Sequence, residues 1–381
     1  MAKRVMLAAA GAGKTYTICR EIRINEKNLI LAFTHENIKN IHRELIVAHG
    51  KIPELTTVMT FDSFVYRLLV SPYEPSILRH YDTENTRTKG ITLRQPPSIR
   101  VKNNKGELVY NHLYVKDNTF AHYITKSGQY YNAYTTKLIM SVKENNQSLI
   151  NRVAKTLNLF FDHILIDEFQ DFRLHDYDVI LGLVKNIDNI LLVGDYYQHS
   201  VSAINNTGRP FVLGRGKSKR EVTYEQFVEE LKRKNIDVDD TTLQNSRRCP
   251  QDICDFVREK LKINIAADND NQGKVHWIAD TDADTILSND KIVKLVWENA
   301  STYTFPSQNW SYSKGNTLNS VCVILTDKLS SLSDVSFDVT KVAKSTLNKL
   351  YVALTRTKGD LYILKHSAFK NVESKYKKTD T

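Results

Sequence analysis

The chain has 381 residues, enough for two or three domains, and its 53 lysine and arginine residues outnumber its 43 aspartate and glutamate residues. The formal net charge of +10 favours a polyanionic partner, with nucleic acid as the first candidate. No apolar run approaches the roughly 20 residues of a membrane-spanning helix, so we expect a cytoplasmic protein with no membrane partner. The four cysteines are scattered, and their spacing supports neither a disulfide framework nor a zinc site, with Cys249 and Cys254 as half of a metal site the alternative to reduced core thiols.

The first predicted element is a short apolar strand at residues 5–7, followed by a loop of small residues that ends in Gly-Lys-Thr. Only a backbone without bulky side chains can wrap its N–H groups around phosphate oxygens, with the lysine on the terminal phosphates and the hydroxyl on Mg²⁺. A helix predicted over residues 16–24 would add its N-terminal dipole to this anion site. A flexible turn before a surface helix is the alternative. The predicted phosphate-binding residues are Gly11, Ala12, Gly13, Lys14 and Thr15.

Short apolar strands that end in polar residues then alternate with helix-like segments. The predicted strands cover residues 28–33, 57–61, 163–166 and 189–193. A helix is predicted over residues 36–48, with Gly50 as its C-cap. This alternation is typical of parallel sheets, which bind ligands at the carboxyl ends of their strands. A region rich in Pro, Asn, Tyr and Lys interrupts the pattern, and we interpret it as an insertion.

The strand predicted at residues 163–166 delivers two adjacent carboxylates, Asp167 and Glu168, to its end. Phosphoryl transfer to water needs one carboxylate to hold Mg²⁺ and another to orient or deprotonate the attacking water. We assign Asp167 to the metal and Glu168 to the water, with an acidic helix cap as the alternative. The next strand leads to Gln198, an amide that would sense the terminal phosphate or the water unless it is only a turn residue.

The later part of the chain contains a second series of strands and helices. These elements are predicted at residues 238–243, 250–261, 274–278, 321–325, 345–354 and 361–364. Two arginines in this series, Arg247 and Arg356, offer forked, permanently charged donors for a phosphate that gains negative charge in the transition state. For Arg356, which follows an apolar helix-like run, a surface cation near a helix end is the alternative.

Eight motifs in this order resemble those of the UvrD/Rep-like branch of superfamily 1 helicases. They read Gly11-x-Gly-Lys-Thr, Ala32-Phe33-Thr34, Thr60-Phe61-Asp62-Ser63, Asp167-Glu168-Phe169-Gln170-Asp171, Gly194-Asp195-x-x-Gln198, Asn245-x-Arg247, Ser313-Lys314-Gly315 and Tyr351-Val352-Ala353-Leu354-Thr355-Arg356. The resemblance implies an α/β fold of two tandem RecA-like P-loop NTPase domains with parallel sheets. It divides the chain into a first domain (1–72 and 147–205), a small insertion (73–146), a linker (206–235) and a second domain (236–381) with a basic C-terminal tail.

By position, the resemblance implies that Lys14 and Thr15 bind ATP and Mg²⁺, that Asp167 is a metal ligand and that Glu168 holds the catalytic water. Gln198, Arg247 and Arg356 would contact the γ-phosphate across the cleft between the two domains. The resemblance also implies a set of polar side chains that grip the backbone of single-stranded nucleic acid. These are Thr34, Thr60, Ser63, Ser313 and Lys314. Singly, each is also typical of a helix cap or a solvated surface residue.

The chain departs from the family in three places. Ser246 replaces an aromatic that stacks on adenine, and residues 199–203 lack the aromatics on which bases stack, which leaves Tyr196 and Tyr197 as substitutes. Fewer than seventy residues separate Asn245 from Ser313, too few for the large second insertion domain. We therefore expect a reduced ATP-dependent translocase or helicase on single-stranded DNA, with RNA as an open alternative substrate. A second hypothesis is a nucleic-acid-sensing ATPase that activates a partner such as a nuclease in a prokaryotic antiviral defence complex, without processive unwinding.

Overall fold

The computed structural model describes residues 3–83, 86–199, 208–214 and 218–378, and its two large sheets are both parallel. The strands of the first sheet are β1 (Arg4–Leu7), β2 (Asn28–Ala32), β3 (Thr56–Thr60), β4 (His163–Ile166), β5 (Ile190–Gly194) and β6 (Asp237–Asp239). They lie in the order β6-β1-β5-β4-β2-β3. The four strands predicted between residues 28 and 193 are confirmed, each to within one residue at either end.

Helices cover both faces of the first sheet because its strands are apolar on both sides. In β2, Leu29 and Leu31 join the core cluster on one face and Ile30 joins the cluster on the other. The helices are α1 (Lys14–Glu21), α2 (His35–His49), α3 (Phe61–Phe64), α4 (Glu74–His80), α5 (Thr135–Ser141), α6 (Leu149–Phe160), α7 (Leu174–Asn186) and α8 (Tyr224–Arg233). We call this sheet with its helices the first lobe.

The second lobe is built in the same way around five strands. These are β7 (Val275–Trp277), β8 (Val293–Val296), β9 (Ser307–Asn309), β10 (Val321–Ile324) and β11 (Leu361–Leu364), in the order β7-β11-β10-β8-β9. Its helices are α9 (Gln251–Leu261), α10 (Ala283–Ser288), α11 (Lys344–Leu354) and α12 (His366–Val372). Helices α9 and α11 contribute to the core on one face, and α10 and α12 to the core on the other. The predicted α/β fold with two parallel sheets is confirmed.

The predicted insertion consists of short elements attached to the first lobe. Its strand pairs are Arg100–Lys102 with Leu108–Tyr110 and Ile91–Thr92 with Tyr130–Tyr131, and at its end Lys143–Glu144 pairs with Gln147–Ser148 just beyond it. Helix α5 buries Leu138 and Ile139 in the core of the first lobe. Two further strand pairs lie outside the insertion, Val212–Leu213 with Arg220–Glu221 and Asn245–Ser246 with Ala266–Ala267.

The structure differs from the predicted division of the chain around residues 224–239. Strand β6 pairs in parallel with β1, with Arg4 opposite Asp237, although our division assigned β6 to the second domain. Helix α8 lies in the predicted linker, yet it buries Phe227 and Leu231 in the core of the first lobe. A strand pattern in the sequence does not say which sheet it joins, and this explains the difference. Residues 206–207 and 215–217 of the predicted linker lie outside the described residues.

The two lobes share one continuous apolar core. The cluster that contains Met6 and Leu165 of the first sheet also contains Leu295 and Val323 of the second, together with Leu350 of α11. The lobes are therefore packed together directly. Within the described part of the chain, no helix is long and apolar enough to span a lipid bilayer.

Candidate active site between the two lobes

A cavity of about 460 Å³ lies where the two lobes meet. The first lobe lines it with Gly11, Gly13, Lys14, Thr15, Asp167, Glu168 and Gln198, and the second with Arg247, Arg248, Asn271, Gly315 and Arg356. Residues that are more than 300 positions apart in the sequence thus face one space. The structure brings together nearly all the residues that we predicted to contact ATP and Mg²⁺.

The phosphate loop needs glycine at two positions for reasons of geometry. Gly11 and Gly13 have φ angles of +75° and +85°, which L side chains rarely adopt. A Cβ on Gly11 would lie 2.7 Å from the hydroxyl oxygen of Ser246 and 2.8 Å from Cβ of Arg248. Helix α1 begins at Lys14, two residues before the predicted start, and no side chain caps it. Its first N–H groups are therefore available to an anion.

The second lobe holds the start of this loop in place. The Ala9 N–H donates to the Leu243 carbonyl at 2.7 Å, and the Arg247 N–H donates to the Gly11 carbonyl at 2.9 Å. The Ala10 N–H donates to the hydroxyl of Tyr351 at 2.8 Å. We assigned no role to Tyr351 from the sequence, because its position in an apolar helix is equally typical of a core residue.

Asp167 lies at the end of β4 and is almost fully buried. The hydroxyl of Thr15 donates to its carboxylate at 3.4 Å. Burial, and then the neighbouring charge of Glu168, raises the pKa of Asp167 to about 7. A hydroxyl and one carboxylate fit Mg²⁺, which usually takes one or two protein oxygens and completes its shell with phosphates and water. Among the described residues, no group of three or more His, Cys, Asp or Glu side chains could hold a metal ion.

Glu168 has a left-handed backbone with φ of +53°, an uncommon conformation for a residue with a side chain. Its carboxylate lies 3.9 Å from the Lys14 ammonium and 3.5 Å from the Lys314 ammonium, and it accepts a hydrogen bond from the Gln170 amide. Burial disfavours the charged carboxylate, yet the charges of Lys14 and Lys314 dominate and hold the pKa of Glu168 at about 2. Glu168 is therefore ionised at neutral pH.

A chain of buried hydrogen bonds connects Glu168 to Gln198. The side-chain oxygen of Gln170 accepts from the Asp195 N–H at 2.9 Å, and the Gln198 amide donates to the Asp195 carboxylate at 2.8 Å. A Cβ on Gly194 would come within 2.5 Å of the Gln170 oxygen, so this contact requires glycine there. We predicted no role for Gln170. Its only signal is its place two residues after Glu168.

Arg356 is fully buried at the end of α11, not a surface cation. Its Nε donates to the Val352 carbonyl at 2.8 Å and its Nη2 to the Thr355 hydroxyl at 3.2 Å. Burial, and then the nearby positive charge of Arg248, lowers the pKa of Arg356 to about 9. Arg247, by contrast, is exposed, and its guanidinium lies 4.6 Å from the ring centre of Tyr16. The two predicted arginines therefore meet different parts of the cavity.

A family model for the AAA domain matches residues 2–203, a span that includes the phosphate loop, both carboxylates and Gln198. The chain belongs to the AAA domain family. A probable DNA helicase II homologue from Mycoplasma genitalium is 26% identical over 234 residues, which are 51% of this chain and 33% of that protein. The chain thus spans about a third of that relative's length. These matches confirm the resemblance to UvrD/Rep-like proteins and a P-loop ATPase domain with helicase homology.

Two solved structures are similar over most of the chain. The arterivirus nonstructural protein 10 helicase with DNA has a TM-score of 0.43 at 12% identity, covering 95% of this chain and 60% of that one. The PRRSV helicase has a TM-score of 0.43 at 11% identity, covering 98% of this chain and 54% of that one.

The five polar residues predicted to grip nucleic acid all have partners within the chain. Thr34 caps α2 by accepting from the Asn37 N–H at 3.1 Å, and Thr60 caps α3 by accepting from the Ser63 N–H at 3.2 Å. Both caps lie at the same sheet edge as the phosphate loop of the AAA domain. Ser313 is fully buried and donates to a backbone carbonyl of its own turn. Its predicted contact with nucleic acid stays a prediction.

Lys314 pairs with carboxylates of the first lobe, and its predicted contact with nucleic acid stays a prediction. Its ammonium donates to both carboxylate oxygens of Asp171 at 2.8 and 2.6 Å and lies 3.5 Å from Glu168. Lys314 thus carries a second-lobe charge into the carboxylate cluster of the AAA domain. The two tyrosines suggested as stacking partners for bases have different surroundings. Tyr196 is buried, and its hydroxyl donates to the Val222 carbonyl, while Tyr197 stacks on the ring of Tyr224.

Replacing Lys314 with methionine is expected to lower the free energy of unfolding by about 3 kcal/mol, because it leaves Asp171 largely buried without its counter-charge. Urea unfolding measures this loss. The double variant Lys314→Met/Asp171→Asn should recover part of it, with a coupling energy of about 0.5–3 kcal/mol. The control is Lys341→Met, which removes an exposed lysine 3.8 Å from Asp338 and should change little. Equal losses for both lysines would contradict a buried ion pair.

Proposed function

We propose that the chain is an ATP-dependent translocase or helicase that acts on single-stranded DNA, with ATP and Mg²⁺ bound in the cavity between the lobes. The observation that carries this proposal is the convergence of Lys14 and Glu168 from one lobe with Arg356 from the other on a single space. A lysine, an ionised carboxylate and a buried arginine are the groups that phosphoryl transfer to water requires.

Each residue then has a chemical task. Lys14 and the N–H groups at the start of α1 bind the phosphates, and ionised Glu168 orients the attacking water and takes its proton. Mg²⁺, held by Thr15 and Asp167, supplies positive charge to the phosphate oxygens when it is bound. Arg356 stabilises the negative charge that grows on the transferred group. Gln198 senses the terminal phosphate and the water, because hydrogen bonds through Asp195 and Gln170 connect it to Glu168.

Contact from both lobes makes the terminal phosphate a bridge between them. Loss of that phosphate removes a charge that Lys14 and Arg356 share, so each hydrolysis event changes the preferred arrangement of the lobes. A bound nucleic acid strand would be moved by this change. We propose that the sheet edge formed by Thr34, Thr60 and Ser63 faces the strand, and that the moving parts are the two lobes, with α8 and β6 in the first lobe.

One observation favours the second candidate, a nucleic-acid-sensing ATPase that activates a partner such as a nuclease in a prokaryotic antiviral defence complex. The lobes share a continuous apolar core, and the phosphate loop is tied to the second lobe through Leu243, Arg247 and Tyr351. Large rotations would break these contacts. A small rearrangement that a partner senses needs less motion than stepping along a strand.

An assay of ATP hydrolysis beside strand displacement tests both candidates. Single-stranded DNA is expected to raise the hydrolysis rate, with single-stranded RNA and duplex DNA measured in parallel and Lys14→Ala protein as the background control. The half-saturating DNA concentration should rise steeply with salt, with a slope of about 0.7 per phosphate contacted. Displacement together with stimulation supports the translocase, and stimulation alone supports the sensor. If no nucleic acid stimulates hydrolysis, both candidates are wrong.

A further inference from the structure

A second cavity, of about 160 Å³, borders the residues that lead from β1 into the phosphate loop. The first lobe lines it with Leu7, Ala8 and Ala9, and the second lobe with Ile263 and Tyr351. Of the described residues that line this cavity and the cavity assigned to ATP, none is common to both. A protein cavity of roughly 150 Å³ holds one benzene ring. The second cavity therefore has room for a single six-membered ring.

Tyrosine rings form much of the wall of this second cavity. Tyr196, Tyr197 and Tyr224 line it from the first lobe, and Tyr351 lines it from the second. The rings of Tyr197 and Tyr224 are stacked, with centroids 5.8 Å apart and planes 8° apart. Tyr197 also meets Tyr351 edge-on across the lobes, with ring centroids 6.0 Å apart. Aromatic walls favour a flat aromatic occupant, because its faces and edges can pack against the rings.

The polar groups of this cavity include two hydrogen-bond acceptors, Asp240 and Gln244. Among the described residues, the half-buried Asp240 carboxylate accepts only from the Tyr224 hydroxyl. That distance is 3.4 Å, longer than the usual range of about 2.5–3.0 Å for such a bond. The Gln244 amide nitrogen donates to the Leu7 carbonyl at 3.1 Å, which leaves the side-chain oxygen as a second acceptor. An occupant that brings N–H donors is therefore favoured.

We propose that this cavity binds an amino-substituted pyrimidine ring, the chemistry of cytosine, with the amino group donating to Asp240 and the ring packed against the tyrosines. Carboxylates accept from the cytosine amino group in the same way in protein–DNA interfaces. Uracil has the same size but presents a carbonyl oxygen at that position, which a carboxylate repels. The hydrogen bond from the Ala10 N–H to Tyr351 lies at the border of this cavity, so an occupant also contacts a support of the phosphate loop.

Titration of the full chain with cytosine and uracil, followed by ligand-observed NMR, tests the inference. Cytosine is expected to bind with a dissociation constant in roughly the micromolar to millimolar range, as for other ligands of its size. Uracil should bind about 10- to 100-fold more weakly, because it cannot make the charged hydrogen bond. Asp240→Asn should lose most of this preference for cytosine. Tyr224→Phe removes the competing hydroxyl but keeps the ring, and it should retain cytosine binding.

The matched control is Asp237→Asn, which changes an exposed aspartate at the start of β6, outside the cavity. It should bind cytosine as the unmodified protein does. Absence of cytosine binding at tens of millimolar, equal binding of cytosine and uracil, or an unchanged preference in folded Asp240→Asn would each overturn the inference. The comparison of cytosine with uracil uses the unmodified protein, so it decides the question even if a variant folds poorly.

Cytidine and a strand of deoxycytidine, titrated against bound cytosine, distinguish two sources of the ring. Displacement by cytidine supports a free nucleoside as the occupant, and displacement by the strand alone supports a base of bound single-stranded DNA. Displacement by neither would show that the cavity excludes the sugar, and the ligand would then be the free base. No step of the test uses ATP, so failure of this inference leaves the proposed function untouched.

Discussion

Replacing Glu168 with glutamine is expected to lower the rate of ATP hydrolysis by about 10²- to 10⁴-fold, the usual contribution of a positioned general base. Glutamine keeps the shape of the side chain but cannot accept a proton from the attacking water. The effect is large because Glu168 is ionised, with Lys14 at 3.9 Å and Lys314 at 3.5 Å from its carboxylate. Nucleotide binding should be retained, since the substitution removes a negative charge close to the phosphates.

Steady-state hydrolysis and nucleotide binding are measured on the same Glu168→Gln preparation. The control is Glu36→Gln, which changes an exposed carboxylate near the start of α2 that pairs only with Lys39. A loss of hydrolysis with binding intact, and no loss in the control, is the expected pattern. Hydrolysis close to the unmodified rate in Glu168→Gln would remove this residue from its assigned task.

The sequence predicts the first lobe well because its signals are local. Parallel strands buried on both faces are short apolar runs, so β2, β4 and β5 are recognisable, and residues such as Asp167 and Glu168 directly follow such a run. The phosphate loop needs glycines for backbone geometry at Gly11 and Gly13, and this leaves a visible pattern. Position along the chain is enough to place these groups at one sheet edge.

The contacts between the lobes could not be predicted in this way. Lys314 follows a short turn, and nothing local distinguishes a solvated lysine from one that reaches Asp171, 143 positions away. Arg248 has the same difficulty, because its neighbour Arg247 is exposed while Arg248 turns toward Thr355. The partner of β6 depends on how the chain returns to the first sheet. In each case, packing between distant segments determines where the residue or strand lies, and such packing produces no periodic pattern in the sequence.

Replacing Arg356 with alanine is expected to have the largest effect, a loss of about 10³- to 10⁵-fold in the rate of hydrolysis. The guanidinium is fully buried, oriented by Val352 and Thr355, and faces the cavity from the lobe opposite Lys14. Lysine at this position should restore little activity, because an ammonium cannot contact two phosphate oxygens in a forked geometry.

The stability of a second variant, Arg356→Met, separates catalysis from folding. Burial lowers the pKa of Arg356 to about 9, which means that the folded protein disfavours the charged side chain relative to the unfolded chain. Removing the charge with Arg356→Met should therefore leave the free energy of unfolding unchanged or raise it, while hydrolysis is lost. The control Arg233→Met removes an exposed arginine that pairs with Glu229 on α8 and should affect neither property. If the variant loses activity only in proportion to its loss of folded protein, Arg356 supports the structure and not the reaction. Another group of the second lobe would then have to contact the terminal phosphate.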